Sequence, residues 1–202
     1  MRGRARIRWR DRAELGKLKQ GLIQVYTGDG KGKTTAALGL ALRAVGRGLR
    51  VCFIQFMKGD IELGERTAAK RLAPEMEVHW FCAPTWGDPS KVPPGTPWWQ
   101  LPPSDEDRDQ AQEGIAFARR ALTGGEYDLV IVDEVFPALS HELISLDQLL
   151  SLICSKPPQV ELVLTGRGAP EEVIRVADLV TEMKPVKHPY EKGIAARVGI
   201  EC

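Results

Sequence analysis

Apolar positions in this chain alternate between short continuous runs and longer stretches where small or aliphatic residues recur at helical spacing. The short segments 22–27, 50–56, 75–81, 129–132, 159–164 and 179–183 predict six strands, of which 50–56 is a continuous apolar run of the kind buried on both faces. Between them the spacing predicts helices. Residues 33–46 carry a small-residue face of Ala36, Ala37, Ala41 and Ala44, with Leu40, suited to close packing on a sheet, and Gly46 and Gly48 end it. Residues 61–72 form a second helix, stopped before Pro74. Ser104 followed by Asp105–Asp107 opens a third, since a hydroxyl cap and acidic residues suit the positive end of a helix dipole. Gly124 and Gly125 close it. The leucines and isoleucines of 139–154 read as one continuous helix, and 170–177 as a short last one. Residues 184–202 show no period.

Strands alternating with helices predict an α/β domain: a mostly parallel sheet with helices on both faces, in a single unit over residues 21–202. In such a sheet ligands gather at the carboxyl ends of the strands. Three candidate segments each follow a strand: the turn after 22–27, Asp133-Glu134, and the turn 165–168. They are therefore expected to meet along one rim.

The first of these carries the chemistry. Thr27-Gly-Asp-Gly-Lys-Gly-Lys-Thr-Thr35 sits between a strand and a helix, where glycine-rich turns expose N–H groups to anionic oxygens. The phosphate-loop pattern Gly-x-x-x-x-Gly-Lys-[Ser/Thr] is met from Gly32 onward, but Thr27 stands where its first glycine belongs. Gly28, Asp29, Gly30, Lys31, Gly32, Lys33, Thr34 and Thr35 are the expected nucleotide-phosphate-binding residues, with Lys33 the point charge and the Thr34 hydroxyl a Mg²⁺ ligand. The carboxylates at the end of the 129–132 strand complete a nucleotide site by holding Mg²⁺ directly or through water. If that strand persists, Asp133 and Glu134 point to opposite faces and only one reaches the metal. Arg167, between two glycines, is placed to meet an anion. Arg43 lies about two to three turns into its helix and reaches a phosphate only from the side; a solvated helix arginine is the alternative.

Charge separates the chain into two parts. Net charge is +1, yet residues 1–20 hold six arginines and two lysines against Asp11 and Glu14. The body is therefore slightly acidic, which argues against a broad nucleic-acid face. The basic arm is either a solvated end or a mobile lid over an anionic ligand. No apolar run is long enough to span a membrane. Cys52, Cys82, Cys154 and Cys202 lack metal or disulfide spacing and predict reduced thiols in a cytoplasmic protein. His79 reads as a packed residue. Residues 82–103 are rich in proline and tryptophan. Trp86 is read as facing a large, flat, apolar partner, and Trp98 and Trp99 as packing the loop on its own domain.

The run from Thr27 to Gly39 resembles the phosphate loop of the P-loop class of corrinoid adenosyltransferases, which also begin it with threonine. Gln55-Phe-Met-Lys-Gly59, Thr85-Trp86, Val132-Asp-Glu134 and Leu164-Thr-Gly-Arg-Gly168 match as well. So does the tail, Glu182-Met-Lys-Pro-Val-Lys-His188, Gly193-Ile-Ala-Ala-Arg197 and Gly199-Ile-Glu201. The resemblance runs from about Gly21 to Cys202 and implies a RecA-like P-loop NTPase fold. It implies transfer of the 5′-deoxyadenosyl group of ATP to the Co(I) centre of a reduced corrinoid, releasing triphosphate, in adenosylcobalamin biosynthesis or salvage. Co(I) is itself a strong nucleophile, so no catalytic base is required. By resemblance Lys33 and Glu134 are the catalytic pair, Thr34 and Glu134 hold Mg²⁺ (or Mn²⁺), Arg43 helps bind phosphate, and Trp86 meets the corrin. It further implies a homodimer served by a flavoprotein or other reductant. Pro84 stands where enterobacterial members have phenylalanine; Phe81, Trp98 and Trp99 are candidates to fill that place. The competing class is a P-loop ATPase acting as a regulator, its arginine arm gripping nucleic acid. A small-molecule kinase is disfavoured because no arginine-rich lid is present.

Overall fold

The computed structural model describes residues 18–59, 63–83 and 102–201. Its strands are β1 (Ile23–Thr27), β2 (Val51–Phe56), β3 (Met76–Phe81), β4 (Leu129–Asp133), β5 (Glu161–Thr165) and β6 (Leu179–Glu182). Its helices are α1 (Lys33–Val45), α2 (Gly64–Leu72), α3 (Asp105–Thr123), α4 (Val135–Ser140), α5 (Leu146–Cys154) and α6 (Glu171–Val176), and a 3-10 turn, Pro189–Lys192, lies in the tail. The strands form one sheet in the order β3-β2-β4-β5-β1-β6, every pair parallel. This is the expected α/β, RecA-like arrangement. One strand, β5, separates the strand that leads into the phosphate loop from the strand that ends in Asp133.

The continuous apolar runs are explained by two cores, one on each face of the sheet. Val51 and Phe53 of β2, Leu129 and Ile131 of β4, and Val163 of β5 face α1, whose Ala37, Ala41 and Ala44 let the helix lie close. The alternate residues Cys52, Ile54, Phe56, Val130, Val132, Leu162 and Leu164 face α3, α4 and α5. A strand that alternates between two buried layers has no polar face to show.

Local signals set the helix ends. Ser104 caps α3 reciprocally: its hydroxyl accepts from Asp107 N at 3.2 Å, while the Asp107 carboxylate accepts from Ser104 N at 2.8 Å. The expected single helix over 139–154 is instead two. α4 ends at Ser140, Glu142 takes a φ of 56°, and Ser145 restarts the chain with a second capping box to Gln148. His79 packs its ring 4.4 Å from that of Phe117. The arm up to residue 17, residues 60–62 at the expected start of the second helix, and residues 84–101 with Trp86, Trp98 and Trp99 lie outside the described residues.

One glycine reports how tightly α3 meets the sheet. A Cβ on Gly114 would lie 2.9 Å from the Phe56 ring and from Phe81 Cβ. In an open helix Gly→Ala stabilises by about 0.5–1 kcal/mol. Here Phe56 is fully buried and cannot give way, so an overpacking cost of about 1–3 kcal/mol wins. Gly114→Ala should lower the urea midpoint of unfolding; an unchanged or raised midpoint would contradict this packing.

Candidate active site

The rim at the carboxyl ends of β1, β2, β4 and β5 brings the predicted segments together. The loop 28–32 leaves β1, and α1 begins at Lys33 with Gly32 as its cap at φ 123°, a value that favours glycine. No side chain caps α1 and no acidic residue occupies its first turn. Its leading amides are thus left for an anion. Lys33 is 7% exposed and lays its ammonium across the loop, donating to Gly28 O at 2.6 Å and Gly30 O at 2.9 Å. Burial lowers the Lys33 pKa, and nearby Arg167 lowers it further; Glu134, Asp29 and Asp133 act in the opposite sense.

Asp133 is the hub. Fully buried, it accepts from Thr34 Oγ1 at 2.9 Å, from Thr165 Oγ1 at 2.6 Å and from Lys58 Nζ at 2.9 Å. Thr165 ends the intervening strand β5, and its hydroxyl holds the end of β4 in place beside it. The same oxygen accepts the Glu134 N–H at 3.1 Å. The strand does not persist past Asp133, so the condition for two opposed carboxylates is not met. Glu134 takes the left-handed conformation, φ 58° and ψ 31°, at a cost of about 1 kcal/mol or more. The kink leaves Glu134 within electrostatic reach of Lys33, Lys58 and Arg167. Burial raises its pKa and the neighbouring Asp133 adds to the rise; the three cations oppose it.

Other sequence candidates are distributed unevenly. Arg167 is exposed on the turn after β5 and acts electrostatically on both Lys33 and Glu134. Asp29, Lys31 and Thr35 are exposed around the loop. Gly30 spends its N–H on Met183 O at 2.7 Å. Arg43 lies exposed in the last turn of α1, about 15 Å of helical rise from Lys33, and is not brought to the loop within this chain.

Sequence reasoning gave no place at this rim to three residues that the structure brings there. Thr27, the residue in place of the first glycine, is 8% exposed, and its hydroxyl accepts from Ala169 N at 3.2 Å, tying the phosphate loop to the turn that carries Arg167. Met183 lies against the loop: its N–H reaches Thr27 O at 2.8 Å, and a Cβ on Gly28 would meet Met183 O at 2.5 Å. Lys58 arrives on a braced segment, because the buried Arg66 donates to Lys58 O, Gly59 O and the Gln55 side chain and stacks 4.2 Å from the Trp80 ring. The one available signal was that Thr27, Lys58 and Met183 all fall inside the motifs that carry the family resemblance.

The gathered groups are hard oxygens and ammonium ions, a set suited to polyphosphate with a divalent cation. Thr34, Asp133 and Glu134 supply too few ligands for an all-protein cage, which fits a Mg²⁺ shared with phosphate oxygens and water. The family model for ATP:corrinoid adenosyltransferase BtuR/CobO/CobP matches residues 19–202. The corrinoid adenosyltransferase of Escherichia coli K12 is 33% identical over 91% of this chain and 86% of its own. That of Pseudomonas aeruginosa PAO1 is 36% identical over 91% and 84%. Among solved structures, a KaiC-like protein of Pyrococcus horikoshii OT3 aligns at a TM-score of 0.49 and 13% identity, over 81% of this chain and 73% of that one. With the phosphate loop, the Asp133 hub and a match that spans the whole described domain, this chain belongs to the ATP:corrinoid adenosyltransferase BtuR/CobO/CobP family.

Proposed function

We propose that this chain transfers the 5′-deoxyadenosyl group of ATP to the cobalt of a reduced corrinoid and releases triphosphate. The observation that carries the reading is the join between Thr34 and Asp133, which welds the phosphate loop to the carboxylate strand in a family defined by this reaction. Lys33 and the leading amides of α1 hold the polyphosphate and stabilise it as it departs whole. Arg167 adds positive charge on the open side. The groups named at this rim include no thiol or imidazole; the reduced cobalt of the substrate is the nucleophile, so positioning and charge stabilisation are what the protein must supply. Mg²⁺, held by Thr34 with Asp133 and Glu134, would neutralise phosphate charge and lock its orientation.

The enzyme we infer is a cytoplasmic homodimer supplied with electrons by a flavoprotein or another reductant. What supports a partner surface is β6, an edge strand exposed along its length, with Leu179 and Val180 each 41% exposed and Val176 beside them at 45%. Trp86, the proposed corrin contact, lies outside the described residues.

Product analysis tests the reaction. Incubation with ATP, Mg²⁺ and chemically reduced corrinoid should yield adenosylcorrinoid and triphosphate in equal amounts. Release of orthophosphate stimulated by RNA or DNA, without organometallic product, would support the nucleic-acid regulator and overturn this reading.

A further inference from the structure

Lys58 occupies a position that phosphate-loop chemistry does not require. Its ammonium lies 2.9 Å from Asp133 Oδ2 and 3.3 Å from Thr34 Oγ1. Those are the two side chains best placed to serve a divalent cation at this rim, so a positive charge carried by the chain sits against both. A second carboxylate is within reach: Glu65 Oε1 is 3.9 Å from the same ammonium and is itself oriented by Gln55 Nε2 at 3.0 Å. The backbone that delivers Lys58 is fixed by Arg66 through the carbonyls of Lys58 and Gly59, whereas the Lys58 side chain remains 21% exposed. A rigid base, a flexible stem and two alternative acceptors are what a movable counter-ion needs.

We propose that Lys58 is a tethered cation that holds the place of Mg²⁺ between Thr34 and Asp133, and that it yields this place to the metal by shifting toward Glu65. The proposal rests on the reading of Thr34 and Asp133 as the metal site. Two cations this close repel, so metal entry and the Lys58–Asp133 pair exclude one another. Asp133, fully buried, must not be left without a cation, and Lys58 keeps it neutralised until the metal arrives. Lys58 is thus a positioning residue. It tunes the affinity of the site for metal and keeps the Thr34–Asp133 geometry formed without it.

Mn²⁺ binding to the full chain, followed by electron paramagnetic resonance with no nucleotide present, tests this apart from catalysis. Lys58→Met keeps the length of the stem and removes the charge. It should bind Mn²⁺ about ten-fold more tightly than the parent, whereas Lys58→Arg, which keeps the charge, should stay within about two-fold. Thermal unfolding supplies a second reading: saturating Mn²⁺ should raise the melting temperature of Lys58→Met more than that of the parent. If Lys58→Met does not fold, Lys58→Gln takes its place. Equal or weaker Mn²⁺ binding by the neutral variant overturns the proposal while leaving the metal site intact. Failure of every protein to bind Mn²⁺, with ATP present as well, overturns the metal reading and this proposal with it.

Discussion

Replacing Lys33 with alanine should lower adenosyl transfer by about three orders of magnitude while leaving the fold in place. Lys33 is 7% exposed, and its ammonium lies against the carbonyls of Gly28 and Gly30, at the centre of the turn that faces the polyphosphate. Charge develops on the leaving triphosphate as the C5′–O bond breaks, and a preorganised charged donor acts most strongly on charge that appears at that moment. Loss of one such donor typically costs 10²–10³-fold, and a full positive charge belongs at or above the upper end. Stability should change by only about 1 kcal/mol. Removing Lys33 deletes two hydrogen bonds but also relieves the burial that depresses its pKa. Adenosylcorrinoid formation together with a thermal melt checks both parts. Transfer at the parental rate by a folded variant would remove the basis of the proposed mechanism.

Asp133→Asn should be costly in a different way, in stability and activity together. The carboxylate accepts from two hydroxyls and one ammonium. An asparagine can accept on one side only. Its amide N–H groups would face either Lys58, donor against donor, or the threonine hydroxyls, which would then have to turn lone pairs toward the amide and give up donating to it. Breaking a buried pair by neutralising one partner costs about 3–5 kcal/mol. Because Lys58 is partly exposed and has Glu65 nearby, we expect about 2–3 kcal/mol, read as a lower urea midpoint at unchanged slope. Turnover should fall at least 100-fold, since Thr34 loses the partner that orients its hydroxyl. A variant as stable as the parent would mean that the charge on Asp133 is not what holds the rim together.

Much of the fold was legible because the central strands of the sheet are buried on both faces. That makes Val51–Phe56 and residues 129–132 largely apolar runs, and such runs separate cleanly from the helical spacing of Ala37, Ala41 and Ala44. The misread helix has a local cause. The leucines of 139–154 stay nearly in phase across the break, so periodicity hides it. The Ser145–Gln148 capping box that restarts α5 was present in the sequence all along. The site was legible in its anchors, the loop and the acidic strand end, but not in its roles. Assigning opposite faces to Asp133 and Glu134 assumed extended backbone at a residue that turns left-handed. That turn depends on Thr165, which is 31 positions away.

By itself the sequence determined the α/β class, the phosphate loop, the strand-end carboxylates and, through its motifs, the family. These are local patterns, and their chemistry follows from spacing along the chain. Only the tertiary structure decided which residues meet. It made Asp133 the hub, set Thr165 against Asp133 and Glu134, gave Thr27 a partner in Ala169, laid Met183 against Gly28 and Gly30, and kept Arg43 at the far end of α1. These are contacts between strand ends separated by long helical crossovers. Strand order fixes them, and strand order is a property of the assembled sheet that no single stretch of the chain contains.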